Sequence, residues 1–99
     1  MDIIDPVNFQ NPNDLVDHWL PHLREVELKV LLVIIRKTFG WHKIRDRISL
    51  SQLRKLTGSI DSNIIKAVRS LIEKGLISRE VVGNNGTEEV YYELVVNEL

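Results

Sequence analysis

The chain has 99 residues, enough for one domain and too few for two. With 43% hydrophobic and 27% charged residues it is neither a disordered polyelectrolyte nor a membrane bundle, and the absence of cysteine excludes disulfides, thiolate metal sites and cysteine nucleophiles. The formal net charge of −1 conceals a segregation: residues 1–35 carry two cations and six carboxylates, residues 36–79 eleven cations and three carboxylates, and residues 80–99 five carboxylates and no cation.

A basic middle between acidic flanks is the footprint of a surface for a polyanion. The plainer reading is a solvated face neutralised by its flanks, and charge alone does not separate the two. Met1 to Pro6 has no basic and apolar signal pattern, and the longest apolar run, Val30 to Ile35, is far too short to span a bilayer. The chain is therefore expected to be soluble and cytoplasmic, with no membrane partner. Asn85-Gly86-Thr87 then reads as a turn, not as a glycosylation site.

Residues 1–10 have no period and read as an extended N-terminal arm, with residues 11–99 forming one domain. Asn11-Pro12-Asn13-Asp14 has the cap, first-turn proline and acid of a helix start. Leu15, Val16, Trp19 and Leu20 give that helix, about 12–20, its apolar stripe, and Pro21 ends it. A second helix spans about 24–39. Its run of Val30 to Ile35 is apolar on nearly all sides, which predicts a place in the middle of the core. Five β-branched valines and isoleucines make a buried strand the rival, but the length and the Glu25/Lys29 spacing favour helix. Gly40 stops it.

Trp41 to Arg47 reads as a basic connector, with Ile48 on a very short strand. Ser49-Leu50-Ser51-Gln52 has the form of a capping box opening a helix over about 50–57, with Leu50, Leu53 and Leu56 at helical spacing. Gly58 breaks it. Asp61 or Ser59 caps the next helix, about 61–74, whose Ile64, Ala67, Val68, Leu71 and Ile72 form a 3.6-residue stripe, and Gly75 ends it. Strands follow at about 76–82 and 88–96 around the turn cluster Gly83 to Thr87.

Helix, glycine turn, helix and then a hairpin define a mainly α fold with a small β-hairpin, a winged helix-turn-helix. The helix at 61–74 takes the recognition position. The segment Ile34-Ile35-Arg36-Lys37-Thr38-Phe39-Gly40-Trp41-His42-Lys43, followed by Asp46-Arg47-Ile48-Ser49-Leu50-Ser51-Gln52-Leu53, resembles the N-terminal DNA-binding domain of the lambdoid-phage replication protein O family. Pro12 to Val16 and Leu28 to Leu32 are similar to that family's start and second helix, so the resemblance covers about residues 11–77. It implies a domain that binds repeated sites at a replication origin, as a dimer, and that reaches other replication proteins through a separate C-terminal region lying outside this chain. Two departures stand out. Asp61 and Ser62 occupy positions that are often basic in related segments, where an acid repels phosphate. The wing tip Asn84-Asn85-Gly86 has no cation, and Glu88 and Glu89 follow it.

With Ile64, Val68 and Leu71 turned inward, the helix presents Ser62, Asn63, Ile65, Lys66, Arg69 and Ser70. In a major groove Asn63 suits adenine, Lys66 or Arg69 guanine, and Ile65 a thymine methyl. Ser62, Asn63 and Lys66 are expected at bases, with Arg69 between bases and backbone. Lys43, Arg45, Arg47, Arg54 and Lys55 are expected at phosphates, with Ser51 beside them. All of these cations are expected to share one exposed side with the recognition helix. About five phosphate contacts give a slope of log K on log salt of about −4 to −5.

His18 and His22 have helical metal-ligand spacing, but Pro21 lies between them and no third ligand is evident, so surface histidines are the reading taken. His42 reads as a packing or phosphate-contact residue. Trp19 and Trp41 read as core. No phosphate loop, nucleophile elbow or carboxylate pair is present, so neither an enzyme nor a cofactor is expected. Two alternatives to a replication initiator remain open: a transcriptional regulator on the same scaffold, and a winged helix that binds protein through Asp61, Ile65 and its acidic wing.

Overall fold

The computed structural model describes residues 19–38 and 43–95. The expected N-terminal arm, most of the first helix, Gly40, Trp41, His42 and the end of the last strand lie outside the described residues.

Leu20–His22 form one 3-10 turn, and Leu23 N–H returns to Leu20 O at 3.2 Å. Pro21 therefore lies inside a helical turn rather than beyond its end. A first-turn position suits a residue with no N–H to donate. Helix α1, Glu25–Thr38, follows. Arg24 N–H donates to Glu27 Oε1 at 2.7 Å, so Glu27 caps the N-terminus of its own helix. Glu27, Val30, Leu31, Ile34 and Thr38 are buried at i, i+3, i+4, i+7 and i+11. The apolar run is not enclosed on every side, because Leu32 is 47% exposed. The core here is a single layer between helices and a small sheet, which leaves one flank of α1 in water.

The basic connector is partly a strand. β1, Arg45–Arg47, pairs antiparallel with a strand of the hairpin, and Ile48 follows it, fully buried, with its N–H on Val90 O at 3.0 Å. Helix α2, Leu50–Thr57, opens on the expected capping box: Gln52 N–H donates to Ser49 Oγ at 3.1 Å and Ser49 N–H to Gln52 Oε1 at 2.9 Å. Of its three leucines only Leu53 is buried, joined by Thr57. Gly58, at φ +72°, closes the helix by donating its N–H to Arg54 O at 2.9 Å.

Helix α3, Asp61–Glu73, buries Ile64, Ala67, Val68 and Leu71. Neither Asp61 nor Ser59 caps it. The cap position is Ile60, which has no side-chain bond to offer, and Asp61 is the first helical residue. The Asp61 carboxylate is engaged elsewhere, as described below. After Gly75, β2 (Ile77–Val82) and β3 (Glu89–Leu94) form the wing, with sheet order β1-β3-β2, all antiparallel. The turn is tight at Gly83, φ +102°, where an added Cβ would stand 2.6 Å from Thr87 O. The core joins Val30, Leu31 and Ile34 of α1 to Leu53, to Ile64 and Leu71 of α3, and to Ile77, Tyr92 and Leu94 of the sheet. The order α1-β1-α2-α3-β2-β3 is the winged helix-turn-helix expected from the sequence.

Candidate nucleic-acid interface

The buried stripe of α3 fixes what it turns outward. Ser62, Asn63, Ile65, Lys66 and Arg69 are all exposed, as the helical spacing predicts, while Ser70 is only partly so. Ser62, Lys66, Arg69 and Glu73 run along the crest at i, i+4, i+7 and i+11. Asn63 and Lys66 border a cleft against the start of α1, and Ile65 and Arg69 border another against the sheet.

The sheet sorts its residues by the alternation of each strand. On the face toward the helices, Ile77 stands opposite Leu94, Arg79 opposite Tyr92 and Val81 opposite Val90. On the outer face lie Arg45 opposite Glu93, Arg47 opposite Tyr91, and Glu80 opposite Tyr91. The expectation that all the cations share one side with the recognition helix is thus corrected for Arg45 and Arg47. Strand pairing turns them away from α3. Arg45 Nη1 donates to Glu80 Oε1 at 2.7 Å and stacks 4.3 Å above the Tyr91 ring, and Arg47 Nη1 donates to Glu89 Oε2 at 2.6 Å. Lys43 pairs with Asp46 at 3.3 Å.

Lys74 also leaves the cationic face. Its ammonium donates to Glu27 Oε1 and to His22 O, both at 2.8 Å, tying the end of α3 to the start of α1. Burial alone would raise the Glu27 pKa. Hydrogen bonds from Lys74, Ser70 and the Arg24 N–H outweigh it and hold the carboxyl below its ordinary value.

Lys55, Lys66, Arg69 and Arg79 have no ion pair among the described residues, and neither have Arg24 and Lys37 at the two ends of α1. Arg79 lines the same cleft as Arg69, with Glu73 at its edge. The sequence reading left both residues out. The alternation of Ile77, Arg79 and Val81 was the available signal for Arg79, and the spacing from Lys66 to Glu73 for the acid. Arg54 faces the turn and grips Asp61, donating from Nε to Oδ1 at 2.7 Å and from Nη2 to Oδ2 at 3.3 Å. Those hydrogen bonds lower the Asp61 pKa and raise that of Arg54. Ser51 is exposed beside Ser49, with their hydroxyls 3.0 Å apart. The wing tip Asn84-Asn85-Gly86 is exposed and carries no cation.

Among the described residues no group of three or more His, Cys, Asp or Glu side chains is placed to hold a metal ion, and no helix is long and apolar enough to cross a membrane. His22 is exposed, His18 lies outside the described residues, and Trp19 packs on the core.

The chain is 38% identical over 58 residues to replication protein O of Escherichia phage lambda. The match covers 59% of this chain and 17% of that protein, so the chain spans a small part of the relative's length. No solved structure matches the chain at a significant level. The family model for bacteriophage replication protein O matches residues 10–93, nearly the whole sequence. By that match, and with the winged helix-turn-helix in place, the chain belongs to the bacteriophage replication protein O family.

Proposed function

We propose that this chain is the double-stranded DNA-binding domain of a phage-type replication initiator, acting in the cytoplasm with α3 in the major groove. The observation that carries the reading is the crest of α3, where Lys66 and Arg69 are exposed and free of ion pairs among the described residues. Family membership supports the role in replication. Ser62, Asn63, Ile65 and Lys66 then face base edges, and Arg69 lies between bases and backbone. Arg54, Lys55 and Arg79 take phosphates, with Ser51 beside them.

Arg45 and Arg47 contribute less, because strand pairing turns them away from α3, and so does Lys43, whose ammonium is held by Asp46 beside them. The same reading takes residues 11–99 as one domain behind an arm at 1–10. It has two copies bind repeated origin sites as a dimer, and it assigns contacts with other replication proteins to regions outside this chain.

The test is retention on duplex DNA of Lys66→Ala/Arg69→Ala, with circular dichroism to check folding. The reading predicts that retention collapses while the fold is kept. Unchanged retention would reject it in favour of a winged helix that binds protein through Ile65 and its acidic wing. A transcriptional regulator on this scaffold would use the same helix, so the replication role is tested separately by origin-dependent replication in cells.

A further inference from the structure

The acid that opens α3 stands where a DNA backbone would approach a recognition helix. Taken as a lone charge, Asp61 should weaken binding. Its geometry gives it a different part. Arg54 reaches across the turn from α2 and meets both carboxylate oxygens side-on, through Nε at 2.7 Å and Nη2 at 3.3 Å. This uses two of the five N–H donors of the guanidinium and fixes its plane. Both side chains are about half exposed, at 53% and 43%, and the unused edge of the guanidinium has no side-chain partner among the described residues.

An unrestrained arginine on an exposed helix samples many rotamers and loses that freedom when it binds a phosphate. Arg54 has already lost much of it. A phosphate meeting the free edge also lies nearer to the guanidinium than to the carboxylate behind it, so attraction outweighs repulsion.

We propose that Asp61 is a positioning residue for DNA binding: it clamps the Nε edge of Arg54 so that the opposite edge is presented to a backbone phosphate beside the recognition helix. This rests on the DNA-binding reading above and gives the acid at the start of α3 a sign opposite to that expected from charge.

The experiment measures fluorescence anisotropy on a labelled mixed-sequence duplex over a range of salt. It compares wild type, Asp61→Ala, Asp61→Asn, Arg54→Ala and the Asp61→Ala/Arg54→Ala double variant, with thermal melts of each. The expected result is several-fold weaker binding by Asp61→Ala, with a shallower salt dependence and a retained cooperative melt. Asp61→Asn, which keeps one oxygen for Arg54, should recover part of the loss. The double variant should bind no more weakly than Arg54→Ala alone, because Asp61 acts only through that arginine.

Tighter binding by Asp61→Ala would overturn the proposal and restore simple repulsion. So would an equal loss in the Arg54→Ala background, or a loss that follows the melting temperature with an unchanged salt slope. These outcomes leave DNA binding itself intact. Wild-type protein that fails to bind the duplex would instead reject the underlying reading, and the proposal with it.

Discussion

Glu27 is the residue whose loss should damage the fold most for the least change in volume. It is 3% exposed, it caps α1 through the Arg24 N–H, and it accepts the ammonium of Lys74 at 2.8 Å. Glu27→Ala leaves that ammonium with His22 O as its remaining acceptor and frees a helix-terminal N–H. Removing one partner of a fully buried ion pair costs about 3–5 kcal/mol. The Lys74 side chain is 29% exposed, so water can reach it and the cost here falls to about 2–3 kcal/mol. For a domain of this size that lowers Tm by about 10–20 °C.

The pH dependence has a definite sign. Because the folded carboxyl titrates below its ordinary value of 4.5, its stabilisation is complete above that pH and is lost as pH falls through the lower folded value. Thermal melts of wild type and variant at pH 7 and then at successively lower pH make the assay. The gap should be constant from neutrality to about pH 5 and narrow below it. A gap under about 0.5 kcal/mol at pH 7 would refute the reasoning, being the scale of an ordinary surface change. A gap that ignores acid would also refute it.

Ser49→Ala removes one side of the capping box at α2 and should cost about 1 kcal/mol in urea unfolding, with an unchanged m-value. Gly58→Ala should cost about 1–2 kcal/mol from its left-handed backbone alone, since nothing lies within 4 Å of the added Cβ. Gly83→Ala should cost more, because its Cβ also meets Thr87 O. Equal losses at the two glycines would show that the close approach at the wing does not matter.

The helix-turn-helix was legible because its signals are local. Ser49 with Gln52, Gly58, and the spacing from Ile64 to Leu71 each specify their own few residues. β1 was read as a connector because Arg45, Asp46 and Arg47 have no apolar alternation, and their strand exists only through pairing with β3. The same pairing decides which side Arg45 and Arg47 face, which no pattern within residues 43–48 encodes. Ile60 holds the cap position of α3 because its backbone is extended and Asp61 is already helical, one residue too late to cap, and the Asp61 carboxylate pairs with Arg54 instead. Lys74 counts only as one of the eleven cations of residues 36–79 in the sequence, and its burial against a partner 47 residues away has no local signal. The outward face of α3 was predictable residue by residue, and the carboxylates that neutralise its cationic neighbours were not.

The central claim is that the side of the molecule carrying α3, and not the outer face of the sheet, meets DNA. The direct test is the slope of log K on log salt for wild type and two double variants. Arg54, Lys55 and Arg79 on phosphates would give wild type a slope of about −2.7, a loss of about 40-fold in affinity between about 50 and 200 mM salt, and steeper by up to about 0.9 if Arg69 also reaches the backbone. Lys55→Ala/Arg79→Ala should make the slope shallower by about 1.8, and Arg45→Ala/Arg47→Ala should leave it unchanged. A slope that falls for the Arg45 and Arg47 pair and holds for the Lys55 and Arg79 pair would contradict the account.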